Sequence, residues 1–226
     1  MKLSYKYFLF TVLLIIIDQI LKLWMHYVVV PQHFGNIDIV PEFLKLHYVT
    51  NPGMAFGIEL GGDYGKLILT TFRLIAMVAI GWYLNHQAQK TPDNGLLWAI
   101  GAILAGAIGN LIDSIFYGVL LPGNAISGAS TPWFHGQVID MFYFNFLDGV
   151  WPNWVPIVGG NYHLTPIFNF ADACIFCGVA AILIFQKRFL EMKPLDDDFV
   201  KHMTEEEPEV EQNIENEKNT NNTEDK

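Results

Sequence analysis

Hydrophobic positions in this chain collect into four long runs, at about 7–28, 67–84, 96–117 and 167–185. A bilayer's hydrocarbon core takes about 20 mostly apolar residues in helix to cross. The runs therefore predict four transmembrane helices and an all-α membrane protein. Lys2 and Lys6 ahead of the first run are what a secretory signal would begin with. No small-x-small cleavage site follows, and the run continues into Asp18-Gln19-Ile20-Leu21-Lys22, so this helix is expected to be retained.

The polar positions are arranged as tellingly as the apolar ones. Lys and Arg accumulate on the cytoplasmic side of a membrane chain. Lys2, Lys6, Lys90, Lys187, Arg188 and Lys193 fall on one side of the four runs. The other side has Lys45 and Lys66, and its long loop, 118–166, has no Lys or Arg. Both termini are thus expected in the cytoplasm and both long loops outside. Asp18 with Lys22, Asn110 with Asp113, and Asn169 with Asp172 then lie at one depth, toward the outer ends of three helices. Ionisable residues at membrane depth are costly; they pair with one another or mark a functional site. Asp18 and Lys22 are four apart, the spacing of an ion pair on one helix face, and a structural pair is expected. Gly101, Ala105 and Gly109 form a small-residue stripe that lets helices pack closely. Arg73, inside the second run, has no partner legible from spacing.

The outer loops have their own pattern. Residues 42–49 carry β-type residues in partial alternation and predict a strand. It runs into Asn51-Pro52-Gly53, a turn whose backbone can approach another chain closely. The second loop is rich in aromatics, among them Trp133, Phe134, Phe142, Tyr143, Phe144, Trp151 and Tyr162. A loop this long is usually functional or disordered, and the aromatic content argues against full disorder. Asp140 is expected to ride on this loop, and His135 and His163 to lie at its surface.

Charge and cysteine content change this picture little. Only 16% of the 226 residues are charged, below the roughly 25% of a soluble domain. Residues 196–226 hold 12 acidic and 3 basic residues, a net of −9 out of the chain's −10, so 1–195 is close to neutral. The chain divides into a membrane domain, 1–195, and an acidic tail, 196–226, with too few apolar residues to bury and expected to be disordered. No nucleic-acid partner is expected. Cys174 and Cys177 sit inside the fourth run, where free cysteine behaves as a small hydrophobe. No Cys or His pair completes a zinc site, and neither metal nor cofactor is expected.

The chemistry left is that of carboxylates. If Asp140 and Asp172 meet in a poorly solvated cleft, they share one proton. The ionised member can take a proton from water while the protonated one hydrogen-bonds the scissile carbonyl, which allows amide hydrolysis without a metal. Asp113 is the other candidate partner for Asp172. No G-x-S-x-G elbow, H-E-x-x-H helix or phosphate-binding Gly loop is present. Spacing alone leaves a membrane protease and a proton-coupled transporter both open. Transporter sites favour the midplane of repeated halves, and no repeat is evident.

Five motifs in order decide between them: Asp18-Gln19-Ile20-Leu21-Lys22, Asn51-Pro52-Gly53-Met54-Ala55-Phe56-Gly57, Gly109-Asn110-Leu111-Ile112-Asp113, Val138-Ile139-Asp140 and Phe168-Asn169-Phe170-Ala171-Asp172. Over about residues 8–188 the chain resembles the lipoprotein signal peptidase (signal peptidase II) family, bacterial inner-membrane aspartic proteases. The resemblance implies four transmembrane helices with a small extracytoplasmic β-cradle and a flap. It implies Asp140 and Asp172 as the catalytic pair, and supporting or substrate-contacting roles for Asn51, Gly53, Asn110, Asp113, Asn169 and Ala171. It also implies diacylglyceryl-modified prolipoproteins as substrates, contact with membrane lipid, inhibition by globomycin-type peptides, and a monomer with its active site facing the periplasm. Two departures stand out. Ser114 occupies a position where the family commonly has Arg, and 119–137 reads as an insertion that alters the flap.

Overall fold

The computed structural model of the chain describes residues 5–53, 62–90, 94–145, 149–151, 160–162 and 166–191. Helix α1 runs unbroken over Tyr5–His33 and stops where Phe34 and Gly35 turn left-handed. Helices α2 (Gly62–Ala88) and α3 (Gly95–Leu120) have 27 and 26 residues. By length and apolar composition α1, α3 and the Tyr64–Ala88 part of α2 can each cross a membrane. The next helix, α4 (Phe170–Ile184), is as apolar but has 15 residues, and α5 (Gln186–Glu191) follows it. It begins at Phe170 rather than at 167, because Asn169 caps it instead of joining its first turn. Ile16, Ile20, Phe72, Ile75, Val78, Trp82, Phe176 and Leu183 are all exposed, an outer face suited to lipid rather than water.

Strands β1 (Asn36–Val40), β2 (Leu44–Asn51) and β3 (Val138–Phe144) form an antiparallel sheet in that order. A second pair joins β4 (Gly149–Trp151) to β5 (Gly160–Tyr162). The strand read at 42–49 thus lies at Leu44–Asn51, shifted toward the Asn51-Pro52-Gly53 turn. Asp140, expected on a loop, is in the middle of β3, where pairing with β2 fixes it. Met25, Val29, Leu46, Tyr117, Leu121, Ile139 and Met141 make one core that clamps this sheet onto the ends of α1 and α3. A second core, built on Tyr7, Leu84, Leu97, Ile100 and Leu104, holds the other ends of the first three helices together.

Small residues set the spacing of the helices. A Cβ at Gly106 would run into the carbonyl of Ala171, and one at Gly178 would lie 2.6 Å from the carbonyl of Ala99, so α3 and α4 touch backbone to backbone. Gly109 gives the same room to Asp18 and Ala171, and Gly101 to Thr11. Near its end α3 widens into a π turn, Asp113–Tyr117, of the kind often found beside functional sites. Two carbonyls in this turn are taken up by segment 119–137, the stretch expected to be an insertion: Gly136 N–H donates to Ser114 (3.0 Å) and Phe134 N–H to Ile115 (3.2 Å). The insertion is therefore docked on α3 by its backbone. His135, expected at the surface, is buried in that contact, with Nδ1 2.8 Å from the carbonyl of Trp133. His163 and the tail, 196–226, lie outside the described residues.

Candidate active site

Local structure brings together groups far apart in sequence. In the β2–β3 register Val49 faces Asp140. Asn51 is two residues further along the same face, the diagonal position, and its amide donates to Asp140 Oδ2 at 2.9 Å. The Asn51 Oδ1 in turn accepts the Gly53 N–H at 2.7 Å. On the other edge of β3, Phe168 pairs with Phe142 through backbone bonds of 2.8 and 3.1 Å. That short bridge delivers the next residue, Asn169, to Asp140.

Asn169 joins the two carboxylates. Its amide Nδ2 donates to Asp140 Oδ1 at 2.6 Å. Its Oδ1 accepts the Asp172 N–H at 2.9 Å, and Asp172 Oδ2 accepts the Asn169 N–H at 3.2 Å, a reciprocal capping box on α4. Asn110 closes the circuit from α3, donating to Asp172 Oδ1 at 2.8 Å and accepting from Asn169 at 3.1 Å. Asp140 and Asn169 are almost wholly buried and Asp172 half-buried. Burial pushes the Asp140 carboxyl up to about 6, helped by the charge of Asp172, while the Asn51 and Asn169 hydrogen bonds pull it down.

Beneath this pair lies a buried ionic cluster. Lys22 Nζ is 2.8 Å from Asp18 and 2.7 Å from Asp113, and it donates to Asn110 Oδ1 at 3.1 Å. Gln19 donates to both carboxylates and accepts from the Tyr117 hydroxyl. Asp18 also accepts the Ala171 N–H at 2.9 Å, so α1 satisfies one of the orphan amides at the start of α4. Asp113, weighed as a partner for Asp172, is instead fully buried against Lys22. Two carboxylates around one ammonium form a rigid floor, and exposed solvent does not reach it.

Arg73 had no legible partner because that partner is on another helix. Its Nη1 donates to the Ser114 hydroxyl at 2.7 Å, and Ser114 donates to the carbonyl of Asn110. The position without an arginine of its own therefore holds a guanidinium sent across from α2. Gly53, at φ 97°, is what makes room for it: a Cβ there would sit 2.7 Å from Leu69 and 3.2 Å from Arg73 Nη2. From Asp172 a groove of about 320 Å3 continues along α4, lined by Ile175, Phe176 and Val179. Among the described residues no His/Cys/Asp/Glu cluster is arranged to hold a metal.

The arrangement is thus two carboxylates under shared hydrogen bonds, at the head of an apolar groove and above the buried Asp18–Lys22–Asp113 cluster. Comparison with known proteins points the same way. A family model described as signal peptidase (SPase) II matches residues 10–188. A lipoprotein signal peptidase of Amoebophilus asiaticus is 43% identical over 190 residues, covering 83% of this chain and 80% of the relative. One from Porphyromonas gingivalis is 40% identical, covering 80% and 82%. A solved bacterial membrane enzyme superposes with a TM-score of 0.54 at 26% identity, covering 82% of this chain and 90% of that one.

Proposed function

The chain belongs to the signal peptidase II family, and from that membership we propose that Asp140 and Asp172 are the pair that activates water for peptide-bond cleavage. The activity is that of a protease removing signal peptides from prolipoproteins. One observation carries the assignment of the pair: Asn169 hydrogen-bonds Asp140 with its amide and forms the capping box with Asp172.

Each residue then has a role. Asp140, with its carboxyl raised to about 6, carries the shared proton and gives it to the scissile carbonyl oxygen. Asp172 takes a proton from water, whose oxygen bonds to the carbonyl carbon. The resulting diol collapses as the amide nitrogen is protonated and the C–N bond breaks. A carboxylate leaves on the signal peptide and an amine on the lipoprotein. Asn169 and Asn110 orient the pair, Asn51 holds Asp140, and Gly53 keeps the rim open. Asp18, Lys22 and Asp113, with the Ala171 N–H, support the floor.

The substrates are prolipoproteins whose cysteine carries diacylglycerol, and the groove below Asp172 is apolar enough to take their hydrocarbon. Globomycin-type peptides inhibit by filling the same cleft. The enzyme is a monomer of the bacterial inner membrane, with four spans, both termini cytoplasmic and the cleft facing the periplasm. Helix α4 alone spans roughly 22 Å at ~1.5 Å per residue; continued through α5 it crosses. The sheet and the insertion form the cradle and flap. The acidic tail takes no part in the chemistry.

Asp140→Asn and Asp172→Asn test the pair with a lipidated prolipoprotein as substrate. Each variant is expected to fold and to lose roughly a hundredfold to ten-thousandfold in rate. Full activity in either one sinks the assignment.

A further inference from the structure

We propose that Arg73 and Lys66 form a carboxylate-binding recess on the rim of this site, which holds the new C-terminal carboxylate of the released signal peptide. The inference rests on the reading of Asp140 and Asp172 as the hydrolytic pair, and adds to it a place for the product.

Three observations carry it. The first is the position of the guanidinium. Arg73 is tied to Ser114, which is tied to Asn110, the donor to Asp172. On its other side it packs on Gly53, whose N–H is bound by Asn51, the donor to Asp140. It therefore stands between the supports of both aspartates, within electrostatic reach of Asp172, Asp113 and Asp140. The second is its unused capacity. An arginine has five N–H donors in a fork that matches a carboxylate. Among the described residues only the Ser114 hydroxyl takes one, and no carboxylate lies within ion-pair distance.

The third is Lys66, two turns before Arg73 on the same helix. It is 1% exposed, and its ammonium has no hydrogen-bond partner among the described residues. The two cations feel each other electrostatically. Thr70 lies between them and bonds the Lys66 and Phe134 carbonyls, which ties this stretch of α2 to the docked insertion. Charging a buried amine beside a second cation is costly unless an anion joins them. Amide hydrolysis creates one at this place: the uncharged scissile carbonyl becomes a carboxylate beside a pair that already bears negative charge. The two cations offset that repulsion.

The test uses the full-length enzyme in detergent and two synthetic peptides of signal-peptide sequence. Both end at the residue before the lipid-bearing cysteine, one as the free acid and one as the C-terminal amide. Binding is read by fluorescence anisotropy, which needs no turnover. The acid is expected to bind roughly tenfold tighter than the amide, the scale of a charge-assisted hydrogen bond. Arg73→Gln and Lys66→Met should each shrink that preference while leaving amide binding nearly unchanged, and Arg73→Lys should keep part of it. Equal affinity of the two peptides for the wild-type enzyme overturns the proposal with no variant needed. A preference that survives both charge-removing variants overturns it too. Either result leaves the aspartate pair standing, because that stands or falls on cleavage by its own Asn variants.

Discussion

Asn169 donates to both carboxylates, with its side-chain amide to Asp140 and its backbone N–H to Asp172, and that economy makes the chemistry of the proposed pair adjustable one residue at a time. Asp140 sits at about 6 because burial and the charge of Asp172 raise it while two amide donors lower it. The acid role we propose for Asp140 needs its proton, so kcat/KM should fall as pH rises through the upper apparent pKa of the pair. Removing the Asn51 donor removes a hydrogen bond that favours the ionised form, so Asp140 should hold its proton to higher pH. Asn51→Ala is therefore expected to move the alkaline limb upward, whatever it does to the height of the profile. A pH–rate series on both enzymes checks this; a limb that stays put or moves to lower pH contradicts it. The sequence made the ionisable residues conspicuous, since charges in apolar runs are rare. It hid their partners: Lys22 reaches Asp113 from another helix, and Arg73 reaches Ser114 from another.

At the scale of elements, the helices were legible and their junctions were not. A run of apolar residues states its length directly, and α1, α2 and α3 contain the runs at 7–28, 67–84 and 96–117. Strand pairing is non-local, so nothing near Asp140 announced that β2 would hold it in a sheet. The short bridge between Phe142 and Phe168 was equally invisible, and it is what brings Asn169 to Asp140. Helix contact was half visible: Gly101, Ala105 and Gly109 stood out, whereas Gly106 is the residue pressed on the Ala171 carbonyl. Gly106→Ala should push α3 from α4 just where α4 starts, destabilising the fold by about 1–3 kcal/mol and lowering activity with it. Gly81→Ala is the control, because a Cβ there meets only Leu104 at 3.9 Å. Thermal unfolding of both variants in detergent should separate them; equal midpoints would remove the case for backbone contact.

At the scale of the whole molecule, we propose a membrane enzyme in residues 1–195 and a tail, 196–226, without catalytic duty. Truncation after residue 195 should leave cleavage of a lipidated prolipoprotein within about twofold of the intact chain, since surface segments away from a site contribute little. A cysteine placed at Lys45 should react with a membrane-impermeant maleimide in intact cells, and one at Lys187 only after lysis. Reversed labelling would turn the proposed topology over. The central claim is narrower: two carboxylates, one from a strand and one from a helix, act as a single unit on one water. Groups that act as a unit lose their effect together rather than in proportion. The most direct measurement is the complete cycle of wild type, Asp140→Asn, Asp172→Asn and the double variant, with kcat/KM on one lipidated substrate. Each single variant should fall by a similarly large factor, and the double variant should fall no further. A double variant whose loss is the product of two independent single losses, or a single variant that keeps the wild-type rate, would contradict it.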